Sequence, residues 1–137
     1  MMTLDAAREQ LGFHCGADPR IHDPRWENGF LATLRPYSGL RLDVMANVDD
    51  CVRAVSEHLK EGQCLDRAII GSLWAVVHYG RVWALDEGGM LKRNNLISTA
   101  DAARLSDWLD DLSGRVMQLL GGATSDELGS KNRSTGQ

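Results

Sequence analysis

The sequence predicts an all-α fold, on three observations. Apolar side chains recur at steps of three and four over Leu42–Lys60 and Thr99–Leu120, the stretch at about 64–84 is apolar on nearly every side, and turn-forming residues separate these segments. The expected architecture is a compact helical bundle of about five helices around a central apolar helix at about 64–84. A chain of 137 residues fits one core, so residues 1–121 are read as a single helical domain and 122–137 as a flexible tail.

In chain order, Thr3 supplies an N-cap hydroxyl, and a first helix runs from Leu4 to Leu11 with Gly12 as its stop. Phe13 to His22 carries Gly16, Asp18 and Pro19 without periodicity and reads as an irregular loop. Asp23 then Pro24 marks a restart, because proline lacks an N–H where none is needed and its φ is already helical. From there a second helix to Leu34 places Trp26, Phe30 and Leu34 on one face.

The third helix, Leu42 to Lys60, carries an apolar stripe of Val44, Met45, Val48, Val52, Val55 and Leu59, and Gly62 closes it. The fourth begins at about Cys64 and reaches Tyr79 or Ala84. Its lack of a polar side predicts a place in the middle of the bundle. Over 81–93 a continued helix followed by a loop is favoured, with a short β-hairpin as the alternative, since Gly88-Gly89 permits the positive φ of a tight turn. Ser98 or Thr99 starts the fifth helix, in which Leu105, Trp108, Leu109, Leu112, Val116 and Leu119 step by three and four. Beyond Gly121, Leu128 is the one large apolar residue, too little to offset the entropy of ordering the tail.

Charge and cysteine content narrow the function classes. With 15 Lys and Arg against 19 Asp and Glu, the formal charge is -4, and nucleic acid is not an expected partner. Cys15, Cys51 and Cys64 share no CxxC spacing, so free thiols are expected in place of a disulfide framework or zinc site. The first residues lack the basic and apolar succession of a signal peptide, and Ala68–Val77 falls short of the roughly 20 residues that span a bilayer. The expected setting is cytoplasmic, away from membranes.

Motifs that carry chemistry are absent. Neither Cys51 with His58 nor the group His14, Cys15 and His22 has metal-ligand spacing, no GxSxG elbow occurs, and Gly88-Gly89 lacks the frame of a phosphate-binding loop. No metal, cofactor or catalytic residue is therefore expected. The most suggestive feature is a stripe on the fourth helix formed by Arg67, Gly71, Trp74, His78 and Arg81. Two guanidiniums with an imidazole and an indole suit an anion, yet Arg67 and Arg81 are about 21 Å apart along an ideal helix, too far to grip one small ligand. The simpler reading pairs each Arg with a carboxylate of another helix and packs Trp74 into the core.

Two charged patches are candidate partner contacts: the basic Lys92 and Arg93, and the acidic outer side of the fifth helix with Asp107, Asp110 and Asp111. Acidic helical faces serve small proteins that neutralise basic partners, nuclease-inhibiting immunity proteins among them, and the parallel is one of charge alone. The expected function is a small non-catalytic protein-interaction module, such as an adaptor, inhibitor or immunity-like protein. The alternative is a small-molecule or anion-binding protein or enzyme with its site at Arg67, Trp74, His78 and Arg81. Another protein is the expected partner. A homodimer is a further candidate, because four tryptophans and long apolar faces bury more completely between two copies.

Overall fold

A computed structural model describes residues 1–59 and 64–121. The Gly62 helix stop and the 122–137 tail lie outside the described residues. Among these, seven helices and no β-strand occur. Among the described residues no helix is long and apolar enough to cross a membrane.

Helix α1 (Leu4–His14) starts as the sequence requires, with the Thr3 hydroxyl accepting from the Ala6 N–H at 3.1 Å. It passes through Gly12, contrary to the expected stop. Burial of Leu11, Phe13 and His14 holds one further turn together, and the left-handed residue that ends it is Gly16, with φ 74°. The amides of Gly16 and Ala17 then bond back to Phe13 and Gly12, satisfying carbonyls that the helix leaves open.

The single second helix is instead two short ones, α2 (Pro24–Glu27) and α3 (Phe30–Thr33). Asp23 and Pro24 begin α2 as expected, the Asp23 carboxylate accepting from the Arg25 N–H at 2.9 Å. The break falls at Asn28-Gly29, for a tertiary reason. Gly29 lies so close to α1 that a Cβ there would sit 2.1 Å from the Phe13 carbonyl oxygen, and the Phe30 N–H bonds to the His14 ring instead of to an earlier carbonyl. Of the three residues expected on one helix face, Phe30 and Leu34 are buried and Trp26, on the separate α2, is half-buried.

Helix α4 (Leu42–His58) buries the expected stripe from Val44 to Val55 and adds Cys51 and Ala54, while Leu59, expected within it, is the C-cap and only half-buried. Helix α5 (Arg67–Ala84) is capped by Asp66, whose carboxylate accepts from the N–H groups of Ala68 and Ile69. It is not a central helix. Ile69, Leu73, Val76, Gly80 and Ala84 face inward, whereas Trp74 and Tyr79 are 57% and 40% exposed. Its apolar character divides between a buried face and an outward aromatic one. The helix packed between α4 and α5 is α1, and the last helix, α7, packs on both α5 and α4.

The possible hairpin over 81–93 does not form. Helix α5 continues to Ala84, a turn follows, and α6 (Met90–Arg93) begins at Gly89. Gly89 has φ -71°, so its role is close approach: a Cβ would lie 2.3 Å from the Val82 carbonyl oxygen. Helix α7 (Thr99–Leu119) is capped by the Ser98 hydroxyl, which accepts from the Asp101 N–H at 3.1 Å. Leu105, Leu109 and Leu112 enter the core beside Leu11, Val48, Leu73 and Phe30. Each such side chain contributes about 1.5–3 kcal/mol by leaving water.

Candidate functional site

The Arg67–Arg81 stripe faces outward along most of its length. On an α-helix, residues three and four apart share a face, so the burial of Leu73, Val76 and Gly80 turns Gly71, Trp74 and His78 toward solvent. Trp74 stacks on His78 with ring centroids 4.4 Å apart and planes 12° apart. Tyr79 meets both rings edge-on, at 6.2 Å and 5.0 Å, and reaches Trp83 at 5.5 Å. The result is a continuous aromatic ridge on a helix surface. Packing Trp74 in the core is overturned, because Trp74 is exposed, and Arg67 is exposed with no ion pair to another described residue.

Beside the ridge, a shallow groove of about 440 Å³ runs between α1 and α5, lined in part by Gly12, Cys15, Ala68, Gly71, Ser72 and Ala75. These small side chains leave both helix backbones accessible, and a Cβ added at Gly71 would meet nothing within 4 Å. The Cys15 thiol points across the groove toward the Ser72 hydroxyl at 3.4 Å.

Arg81 separates from the other stripe residues. It pairs with Asp110 of α7 at 2.5 Å and lines a cleft of about 600 Å³ between the end of α5, α6 and the start of α7. Lys92, Asn95 and Ser98 also line this cleft, but so do Asp86 and Glu87, and Lys92 lies 3.5 Å from Glu87. Its cations are thus largely answered by the protein's own carboxylates.

The charged patches are similarly reduced. Asp110 is matched by Arg81 and Asp111 by Arg115 at 2.7 Å, leaving Asp107 as the acidic residue of that group without an ion pair among the described residues. Arg93 is exposed at the end of α6. Among the described residues no group of three or more His, Cys, Asp or Glu side chains is placed to hold a metal ion.

A polar cluster that the sequence reading did not assemble lies inside the fold. His14 contacts Asn47 at 2.7 Å, and the Asn47 amide donates to the Gln10 carbonyl oxygen at 2.9 Å. The Cys51 thiol points at the same two oxygens from 3.8 and 3.9 Å, and burial pushes it up to about 12, so it remains a thiol at neutral pH. Both His14 nitrogens are engaged, which suits holding the fold together more than moving protons to a substrate. The available signal was the spacing of Ala7, Leu11 and His14, which share one helix face once Gly12 is not taken as a terminus. No protein-family model, curated protein or solved structure matches the chain.

Proposed function

We propose that this protein is a non-catalytic interaction module that binds another protein through the outward face of α5. One observation carries the reading: Trp74 is 57% exposed and held in a fixed stack with His78. Tryptophan, tyrosine and arginine are the side chains that most often anchor protein interfaces, and Arg67, Trp74 and Tyr79 all lie exposed on α5. The small-residue groove beside Trp74 gives a partner's backbone room to approach. The same face is available to a second copy of the chain, so self-association belongs to this reading. Three free cysteines fit a reducing compartment, which favours the cytoplasm.

The test compares partner capture by the wild type and by Trp74→Ala at matched stability. Because the side chain is largely exposed, truncation is expected to leave the fold within about 0.5 kcal/mol of wild type. An anchoring tryptophan is worth about 2 kcal/mol or more of binding, hence a loss of roughly thirtyfold in affinity. Equal affinities in the two proteins would remove α5 as the interface.

A second reading, anion binding at the cleft beside Arg81 and Lys92, is favoured by the existence and size of that cleft. It has less support, because Arg81 and Lys92 each face a carboxylate and His78 and Trp74 do not line the cleft. Inorganic phosphate raising the melting temperature of the wild type but not of a Lys92→Ala variant would favour it.

A further inference from the structure

His14 ends α1 and is 5% exposed, at the point where α1, α3 and α4 meet. Its two nitrogens have different work. A backbone N–H can only donate, so Nδ1, 3.0 Å from the Phe30 nitrogen, is an unprotonated acceptor. Nε2 therefore carries the ring proton and donates to Asn47 Oδ1 at 2.7 Å. The interruption between α2 and α3 leaves the Phe30 amide without a helical carbonyl, and one imidazole lone pair satisfies it.

We propose that His14 is an acid-sensitive latch, holding the start of α3 against the end of α1 while the imidazole is neutral and releasing it when a proton occupies Nδ1. That proton would set N–H against N–H. The buried Phe30 amide would lose its acceptor, and either the ring or the first turn of α3 must move. Movement there reaches the core, because the Phe30 ring lies 5.0 Å from the Trp108 ring and 3.2 Å from where a Cβ on Gly80 would be.

The surroundings favour the neutral ring. A cleft of about 310 Å³ opens onto His14, lined by Arg25 of α2, by Arg41, and by Asp43 of α4. Arg25 is paired with Asp23 and Glu9, and Arg41 with Asp43. From α1 the neighbour is the uncharged Gln10, from α4 also Asn47 and the Cys51 thiol, and α3 (Phe30–Thr33) has no titratable side chain. Among the described residues no carboxylate bonds the ring. Burial accordingly holds its pKa below the ordinary 6.5, which places the latch on the acid side of neutrality.

The test is an NMR titration of the full chain from about pH 7.5 to about pH 4, across the histidine range, following the His14 ring and the Phe30 amide. The expected result is one midpoint below 6.5 shared by the ring and by amides from Trp26 to Leu34, while the amides from Leu105 to Leu112 keep their exchange protection, so that α7 stays folded. Exchange protection of the Phe30 amide, corrected for intrinsic rate, should fall about tenfold or more through that midpoint. His14→Gln, which keeps a donor and an acceptor but cannot titrate, should abolish the transition. If that variant does not fold, Asn47→Asp places a carboxylate on Nε2 and should raise the midpoint by about one unit or more. A His14 ring that stays neutral while the Phe30 amide shifts would overturn the latch, as would an unmoved midpoint in Asn47→Asp or loss of α7 in the same step.

Discussion

The Trp108 indole N–H lies 3.1 and 3.2 Å from the two carboxylate oxygens of Asp49, and the first of these oxygens also accepts from Arg115 at 2.6 Å. This polar clasp joins α7 to α4 across the rim of the core. Trp108 also packs its ring on Phe30, so one side chain serves both the apolar interior and the clasp. Trp108→Phe keeps an aromatic ring and removes the donor. A hydrogen bond to a charged acceptor is worth about 1.5–3 kcal/mol when sheltered, and with the Asp49 side chain 26% exposed about 1–2 kcal/mol is expected here. Chemical denaturation of Trp108→Phe, Asp49→Asn and the double variant checks it. A double variant as destabilised as the sum of the singles would show that the pair does not interact.

Two glycines should respond to alanine in opposite directions. At Gly29 the added carbon would lie 2.1 Å from the Phe13 carbonyl oxygen and 3.2 Å from the His14 Cα, both backbone atoms that cannot turn aside. Gly29→Ala must therefore push α1 and α3 apart, and a loss of about 3 kcal/mol or more is expected, at the top of the range for overpacking. At Gly71, exposed within α5, the new methyl meets nothing within 4 Å. Gly71→Ala should stabilise the fold by up to about 1 kcal/mol through helix propensity alone. Thermal melts of the two variants decide it, and a neutral Gly29→Ala would contradict the close approach.

These residues also show what the sequence could convey. Helix starts at Thr3, Asp23 and Ser98 were legible, because a cap acts on N–H groups two or three residues away and leaves a local signature. The buried stripes of α4 and α7 were legible for the same reason: periodicity needs no knowledge of the partner. Gly12 and Gly29 were misread in opposite senses. Gly12 continues a helix held by burial, and Gly29 breaks one because α1 lies against it, so both outcomes depend on tertiary contacts. The stripe from Arg67 to Arg81 was visible as a spacing, but its direction was not. Strong hydrophobicity on all sides of α5 concealed that Trp74 and Tyr79 belong to the exposed face. His14 escaped because the residues completing its cluster, Gln10, Asn47 and the Phe30 amide, come from three helices.

The cysteines make a chemical test of the packing. Cys51 is fully buried and its thiol is pushed up to about 12, so it should not react with a thiol reagent in the native state, whereas Cys64 is exposed and accessible. Alkylation with iodoacetamide followed by peptide mapping should label Cys64 quickly and Cys51 only after denaturation. Native labelling of Cys51 at a rate close to that of Cys64 would mean that α4 opens on the timescale of the reaction.

The acid limb of stability should be set in part by the loop between α1 and α2. Hydrogen bonds from the Arg20 guanidinium hold Asp18 at about 2, and those from Arg25 hold Asp23 at about 2, against an ordinary value of 3.8. Both guanidiniums lie over the Phe13 ring, at 4.9 and 4.6 Å from its centroid, so the carboxylates fix cations that cover a core side chain. A carboxylate whose folded pKa is depressed contributes stability above its unfolded value, and that contribution is lost as protons bind on the way down to the folded one. The window is therefore from roughly pH 4 to about pH 2. Asn keeps the cap at position 23 but removes the charge, so Asp23→Asn should lower stability at neutral pH and flatten its decline across that window. The paired Arg20 and Arg25 side chains are 49% and 48% exposed, and added salt should shrink the difference between variant and wild type. Melting curves at a series of pH values, recorded in a His14→Gln background to remove the histidine's own contribution, provide the measurement. An acid limb of unchanged slope in Asp18→Asn and Asp23→Asn would show that these pairs exist in the loop without stabilising it.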